Sequence, residues 1–314
     1  MNQLLHALRA AGESTRLRIL AVLKQSELTV SELTRILDQS QPRVSRHLKL
    51  LCDSGLLERY QEGAWVFHRI SDRENMQDIT HGLLDLIDLS DPALERDQKK
   101  LQEIRREKTR LAARYFSEHA AEWDSIRSRM VSDAAIERRL LEFADNAKAD
   151  LFLDLGTGTG RILEIFASRV RKGIGFDLSR AMLSVARSNL ENAGVTNCTV
   201  RLSDICSIDL PDACADIITI HQVLHYSDDP EQAIFESGRL LHPAGKLLIV
   251  DLLPHDLEFL RERHAHQRLG FAPATIARWC ERQGLTVSRH ETLTHDPPDR
   301  QSLTAGLWEI TKRE

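Results

Sequence analysis

Residues 153–160 read Leu-Asp-Leu-Gly-Thr-Gly-Thr-Gly, an apolar run followed by glycines at alternate positions. Such residues let a backbone bend sharply and admit a ligand against itself. Gly156 allows a tight turn, Gly158 lets a ligand approach the main chain beside Thr157, and Gly160 opens the next helix. In dinucleotide-binding loops the third glycine falls one place later, where this chain has Arg161. The spacing therefore departs from a pyrophosphate cradle and suits a nucleoside ligand that lacks one. Asp177, followed by Leu178, can chelate ribose hydroxyls, and Asp204 can accept from an adenine amine with Ile205 against the ring. Asp154 stands just before the loop, where an ammonium group of such a ligand would sit. Further on, His221, His225 and Tyr226 are candidate proton acceptors, needed only if a reacting group must lose a proton. His264 and His266 can line an acceptor pocket. Each has a plainer reading as well: acids cap strand ends, and single histidines more often serve packing or face solvent.

These residues need a sheet to bring them together. Short apolar runs at 151–155, 172–176, 198–202, 216–221 and 246–251 alternate with helical stretches, the signature of a parallel sheet covered on both faces. Tyr115 and Trp123 stand upstream as aromatics that either close over the ligand or fill core.

The first seventy residues have a different organisation. Ser14 is placed to cap a helix carrying Leu17, Ile19, Leu20, Val22 and Leu23; Thr29 opens a second, with Glu32 three positions later as in a capping box. Ser40 precedes a third helix with Pro42 in its first turn, and Gly55 ends it. On that helix Val44, Leu48 and Leu51 share one face, so Pro42, Ser45, Arg46 and Lys49 point outward, with Arg43 and His47 on the flanks, and Gln41, Arg43, Ser45, Arg46, His47 and Lys49 are the candidate DNA contacts. No acidic residue occurs from Gln39 to Cys52. Two extended segments, 56–60 and 65–70, predict a hairpin wing. Helix, turn, basic helix and wing describe a winged helix-turn-helix whose third helix enters the major groove of double-stranded DNA. From 73 to 119 the chain reads as helix nearly throughout: an apolar patch at Leu83, Leu84, Leu86, Ile87 and Leu89 suited to pairing with a second copy, then a charged stretch expected to be solvated.

Ser14–Leu20, Glu27–Leu33 and Gln41–Leu51 resemble the ArsR family of transcriptional repressors over about residues 5–70, which implies a homodimer on a partly palindromic operator. Metal-sensing members carry cysteines in the segment where this chain has Thr29 and Ser31, so a metal is not expected as effector. Residues 115–314 resemble the class I methyltransferases that use S-adenosylmethionine (SAM). That resemblance matches Asp154, Gly156, Thr157, Gly158 and Gly160 to the cofactor loop, Asp177 to the ribose-binding acid, and Asp204 with Ile205 to the adenine pair. It also matches Ile220–Tyr226 and Leu241–Lys246 to segments around the fourth and fifth strands, and it implies that 285–293 and 303–312 form the antiparallel hairpin typical of that fold.

The expected chain is thus a multidomain α/β protein. A winged helix-turn-helix, mostly α with a β-hairpin wing, occupies 1–72, and dimerisation and linker helices occupy 73–114. A Rossmann-like, seven-stranded class I methyltransferase domain occupies 115–314. The tandem resembles repressors that respond to S-adenosylhomocysteine (SAH) and control methionine-cycle genes. The expectation is a DNA-binding regulator with SAM or SAH as effector; the alternatives are an active small-molecule methyltransferase that also regulates, and a ligand-free dimerisation scaffold. The net charge of −5 is distributed as +3 over residues 1–70 and −8 over the remainder, so DNA contact is expected at the front alone. No run approaches the roughly 18 apolar residues of a spanning helix, and Met1–Ala10 lacks the layout of a secretory signal, which points to the cytoplasm. The five cysteines form no Cys-x-x-Cys, so reduced thiols and no metal site are expected. No Asn-Pro-Pro-Tyr occurs, which disfavours nucleobase amines as methyl acceptors.

Overall fold

The computed structural model describes residues 2–71, 73–88, 90–120, 123, 133–144, 149–294 and 303–313, in two compact units, Met1–Thr109 and Arg110–Glu314.

In the first unit, α1 (Asn2–Ala11) adds a helix ahead of the three that the caps predict, α2 (Ser14–Leu23), α3 (Val30–Leu37) and α4 (Gln41–Asp53). The short β1 (Leu28–Thr29) lies antiparallel to β3 (Trp65–Ile70), which forms the hairpin with β2 (Leu57–Glu62). Glu13, not Ser14, caps α2: its carboxylate accepts from the Arg16 amide at 3.1 Å, and Ser14 is already helical. A carboxylate at that end also opposes the partial positive charge of the helix N-terminus. The capping box on α3 forms as the spacing predicts, with the Thr29 hydroxyl accepting from the Glu32 amide and the Glu32 carboxylate from the Thr29 amide. Ser40 occupies the N-cap of α4 without a side-chain hydrogen bond, and Gly55 ends that helix in the left-handed region, φ +81°. Val44, Leu48 and Leu51 pack with Ile19, Leu20, Leu33 and Ile36.

The stretch 73–119 is helical nearly throughout, as two helices. α5 (Glu74–Asp85) stops before α6 (Pro92–His119), whose start is held by the Asp91 carboxylate accepting from the Ala93 amide. The front of α6 is not a solvated rod. Leu94, Leu101 and Ile104, spaced seven and three apart, form one apolar stripe buried in the same core. Its charges pair with the first unit: Asp97 takes both Arg18 Nε and Nη2 at 2.6 Å, Lys108 reaches Glu32 at 2.6 Å, and Glu107 meets Arg35 at 2.9 Å. Of the apolar patch, Leu83, Leu84 and Ile87 join the core, Leu86 stands 85% exposed, and Leu89 lies outside the described residues.

Burial alone would lift the Glu32 carboxyl, but the Lys108 ammonium and the Thr29 donors bring it below the usual glutamate value of 4.5. A carboxylate depressed in the folded state stabilises above its unfolded pKa, and that contribution disappears as pH falls through the folded one. The urea midpoint of this unit should therefore hold steady down to about pH 4.5 and fall below it, and Glu32→Gln should flatten that fall. An identical slope in the variant would remove Glu32 from the account.

The second unit is a seven-stranded sheet in the order β6–β5–β4–β7–β8–β10–β9. Its strands are β4 (Ala149–Leu155), β5 (Val170–Asp177), β6 (Cys198–Leu202), β7 (Ala215–His221), β8 (Leu241–Leu252), β9 (Leu285–Leu293) and β10 (Ala305–Lys312). All neighbours pair in parallel except β10, antiparallel to both β8 and β9, which is the predicted terminal hairpin. The described helices are α7 (Asp133–Phe143), α8 (Arg161–Phe166), α9 (Arg180–Asn192), α10 (Pro230–Leu240), α11 (Phe259–His264) and α12 (Pro273–Arg282). Near-continuous apolar strands follow from burial on both faces. Leu153, Ile218 and Leu247 face one core, while Phe152, Ile217 and Leu248 face the other. The strand order runs outward in opposite directions from β4 and β7, which leaves a crevice at their carboxyl ends, the usual ligand position in open α/β sheets. Among the described residues no helix is long and apolar enough to cross a membrane.

Candidate ligand and DNA-contact sites

The crevice gathers the residues singled out by spacing. Gly156 and Thr157 both donate to the Phe176 carbonyl, at 2.8 and 2.9 Å, which stitches the loop to the end of β5. All three loop glycines have positive φ, +77°, +52° and +82°. They do different work. A Cβ on Gly156 would strike Val223 at 2.4 Å, and one on Gly160 would press Ala186 of α9 at 3.1 Å, whereas one on Gly158 would meet nothing nearer than Trp123 Nε1 at 3.8 Å. Gly158 is thus the least crowded of the three, since a Cβ there would make only ordinary van der Waals contact with the Trp123 indole. Its amide donates to Asp177 Oδ2 at 2.9 Å, and Asp177 Oδ1 accepts from the Ser179 amide at 2.8 Å. Burial raises the Asp177 carboxyl, against the opposing pull of the Ser179 and Gly158 amides.

Beside Asp177, Leu178 and Leu202 are half exposed, apolar surfaces at the carboxyl edge of β5 and β6. Asp204 is exposed and turned by accepting from the Cys206 amide at 2.9 Å, with Ile205 buried next to it. Asp154 is buried and accepts from the Thr219 hydroxyl at 2.7 Å.

On the β7 side, His221 ends the strand and is buried. Gln222 follows with φ +56°, a conformation that is uncommon for residues with a Cβ, and its buried Nε2 has no hydrogen-bond partner. Gln222 lies inside the Ile220–Tyr226 segment singled out by resemblance, which assigns it no role. His225 and Tyr226 lie in the 3₁₀ turn that follows. His225 Nδ1 is 2.7 Å from Asp251 Oδ1 near the end of β8, a partner missed because a strand-end acid reads as a cap. Tyr226 OH is 3.3 Å from His266 Nε2, and Tyr115 OH is 2.7 Å from His264 Nδ1. Burial lowers His266 well below the ordinary histidine range and brings His255 to about 4. Tyr115 and Trp123, left open between lid and core, pack with Met182 and Ala120 beside Phe116 and Tyr226, and Trp123 is the side chain nearest Gly158.

The cysteines offer no reactive centre here. Burial pushes Cys198 up to about 11 and Cys280 to about 12, so both stay protonated thiols near neutrality.

In the first unit, α4 presents Gln41, Arg43, Ser45, Arg46 and Lys49 outward, as its periodicity requires. His47 is the exception: its ring turns back to Glu13 at the α2 cap, 3.6 Å away. Burial and the nearby arginines hold its pKa below the ordinary value in spite of that carboxylate. Trp65 and Val66 stand exposed at the wing tip.

Comparison with known proteins matches both units. Residues 13–59 fit the family model described as bacterial regulatory protein, arsR family, and residues 146–297 fit that described as methyltransferase domain. The chain joins an arsR-type helix-turn-helix to a methyltransferase domain. The arsenical resistance operon repressor of Escherichia coli (strain K12) is 49% identical over 61 residues, 19% of this chain and 52% of that protein. The uncharacterized methyltransferase YcgJ of Bacillus subtilis (strain 168) is 34% identical over 99 residues, 32% of this chain and 39% of that protein. The chain thus spans about half or less of either relative's length. Among solved structures, the N-methyltransferase NodS of Bradyrhizobium japonicum WM9, in complex with SAH, superposes with a TM-score of 0.54 at 17% identity. The match covers 65% of this chain and 99% of that one, and it bears out the class I methyltransferase fold.

Proposed function

We propose that this chain is a DNA-binding transcriptional repressor whose methyltransferase-fold unit holds SAM or SAH as its effector. One observation carries the reading: the glycine loop is tied through the Gly158 amide to Asp177, the acid that ends β5, on a chain that also presents a basic reading helix. The residues fit an adenosyl thioether. Asp177 takes the ribose, Leu178 with Ile205 flanks the adenine, and Asp204 accepts from its amine. Asp154 lies on the amino-acid side, with His221 and Gln222 near the sulfur. SAM, when bound, supplies an electrophilic methyl; the protein's part is to hold it, orient it and exclude water. SAM and SAH differ by one methyl and one charge, so any discrimination between them belongs at the β7 end of the crevice. Genes regulated through such an effector would be those that make or consume adenosyl thioethers.

Gln41, Arg43, Ser45, Arg46 and Lys49 are assigned to operator contact, with His47 supporting the α2 cap. A homodimer is favoured by a stripe of leucines on α1, Leu4 and Leu5 at 44% and Leu8 at 41% exposed, tied to α5 by Asn75 donating to Gln3 at 3.2 Å. Single exposed leucines are ordinary, but a clustered stripe is not. Calorimetric titration with SAM and with SAH tests the ligand assignment, and absence of heat with both would overturn it. Arg46→Ala should weaken operator binding by about 1–3 kcal/mol and relax preference at one base pair if it reads a guanine. Equal loss on unrelated DNA, measured by fluorescence anisotropy, would make it a phosphate contact instead.

A second reading, an active methyltransferase acting on a small molecule, is favoured by one feature, the His225–Asp251 pair at the end of the crevice that holds the sulfur.

A further inference from the structure

We propose that His225, oriented by Asp251, is a proton acceptor for a phenolic hydroxyl, so that the small molecule occupying the β7–β8 end of the crevice is a phenol. The proposal rests on the second reading above. Asp251 is 0% exposed and held on all sides: Oδ2 accepts from the Leu224 amide at 2.9 Å, and Oδ1 from the Leu252 amide at 2.7 Å while facing His225 Nδ1 at 2.7 Å. A carboxylate on Nδ1 fixes the tautomer, so the lone pair of His225 sits on Nε2 and a proton gained there is stabilised from behind. The same two backbone amides keep Asp251 from rotating, so the ring has one orientation.

A second observation points to a ligand in this place. The His266 ring lies 4.4 Å from that of His225, centroid to centroid, and is 4% exposed; Tyr226 meets its Nε2, but its Nδ1 has no hydrogen-bond partner. A buried imidazole nitrogen without a partner costs about 1–3 kcal/mol, which a polar group of a bound molecule would recover. Burial keeps His266 and His255 neutral near pH 7, and of the three it is His225 that is hydrogen-bonded to a carboxylate.

The chemistry of the acceptor follows. Methyl transfer from a sulfonium releases a neutral thioether, so no acid is required, and a base matters only where the acceptor has a proton to lose. An imidazole is matched to a hydroxyl of pKa near 10, as in tyrosine, far better than to an aliphatic alcohol. The walls suit an aromatic ring: Tyr226 meets Phe116 edge-on at 4.8 Å and Trp123 at 6.1 Å. The hydroxyl proton passes to His225 Nε2, and the oxygen pair so released takes the methyl while the S–C electrons remain on sulfur.

The test uses the full chain saturated with SAH and the chromogenic probe 4-nitrophenol, whose absorbance reports its own ionisation. At one pH unit below the free probe's midpoint, the bound probe is expected to show at least a tenfold higher phenolate fraction ratio than in buffer. His225→Gln and Asp251→Asn, each kept saturated with SAH, should return it to the protonated spectrum. In the wild-type protein, ¹⁵N spectra of labelled histidine should show His225 protonated at Nδ1, a readout that needs no variant. Probe bound in its protonated form, phenolate retained in His225→Gln, or a His225 proton on Nε2 would each overturn the proposal. Failure of SAH itself to bind would overturn the ligand reading beneath it, and the proposal with it, and calorimetry separates the two cases.

Discussion

Arg18→Ala is expected to destabilise the first unit by about 3 kcal/mol, read as a fall in the urea midpoint of its unfolding transition. Arg18 grips Asp97 through two charge-assisted bonds of 2.6 Å, with a third donated to the Leu37 carbonyl at 3.2 Å. The two side chains are unequally placed: Arg18 is partly open to water, whereas Asp97 is almost fully enclosed by α6 and its neighbours. Removing the guanidinium leaves a buried carboxylate uncompensated, and that penalty, rather than the attraction of the pair, dominates the loss. The double replacement Arg18→Met with Asp97→Leu should recover most of it, because no charge is then stranded. A cycle built from the two single variants and the double one measures the coupling directly. A loss under about 0.5 kcal/mol in Arg18→Ala would place the pair with ordinary surface ion pairs and leave the apolar stripe of α6 as the whole attachment.

Asp177→Ala is expected to weaken SAH binding about 100-fold, near 2.7 kcal/mol, with operator binding in the absence of ligand unchanged. The carboxylate does two jobs at once. It accepts from the Gly158 and Ser179 amides, which sets the loop, and it carries the charge assigned to the ribose hydroxyls. A hydrogen bond to a charged group is worth about 1.5–3 kcal/mol, so the loss of ribose contact and of loop order accounts for two factors of ten. Asp177→Asn retains one acceptor oxygen and should fall between. Calorimetry on SAH with anisotropy on DNA reads both quantities; simultaneous loss of the two would mean an unfolded chain, which circular dichroism detects independently.

Much of this was legible in local sequence because local sequence decides it. The Thr29–Glu32 box, the Gly55 stop and the glycine loop are set by backbone geometry within a few residues, and the strands by burial on both faces. What periodicity missed depended on distant partners. The charged front of α6 looked solvated because its counter-charges, Arg18, Glu32 and Arg35, lie more than seventy residues upstream. His47 looked like a reading residue because nothing nearby in sequence announces Glu13 on a neighbouring helix. Asp251 acquires meaning only when the sheet order brings the end of β8 beside the turn after β7. The predicted Ser14 cap failed by one residue because a glutamate one position earlier could reach the same amide.

The most direct test of the central claim is operator affinity of the full chain measured three times, without ligand, with saturating SAH and with saturating SAM, on DNA selected from random sequence by the same protein. A ligand shifts a two-state equilibrium only by its differential affinity for the two states. The account predicts at least a tenfold change, 1.4 kcal/mol, for one of the nucleosides relative to none. Calorimetry showing SAH and SAM bound in the crevice while all three operator affinities coincide would contradict it.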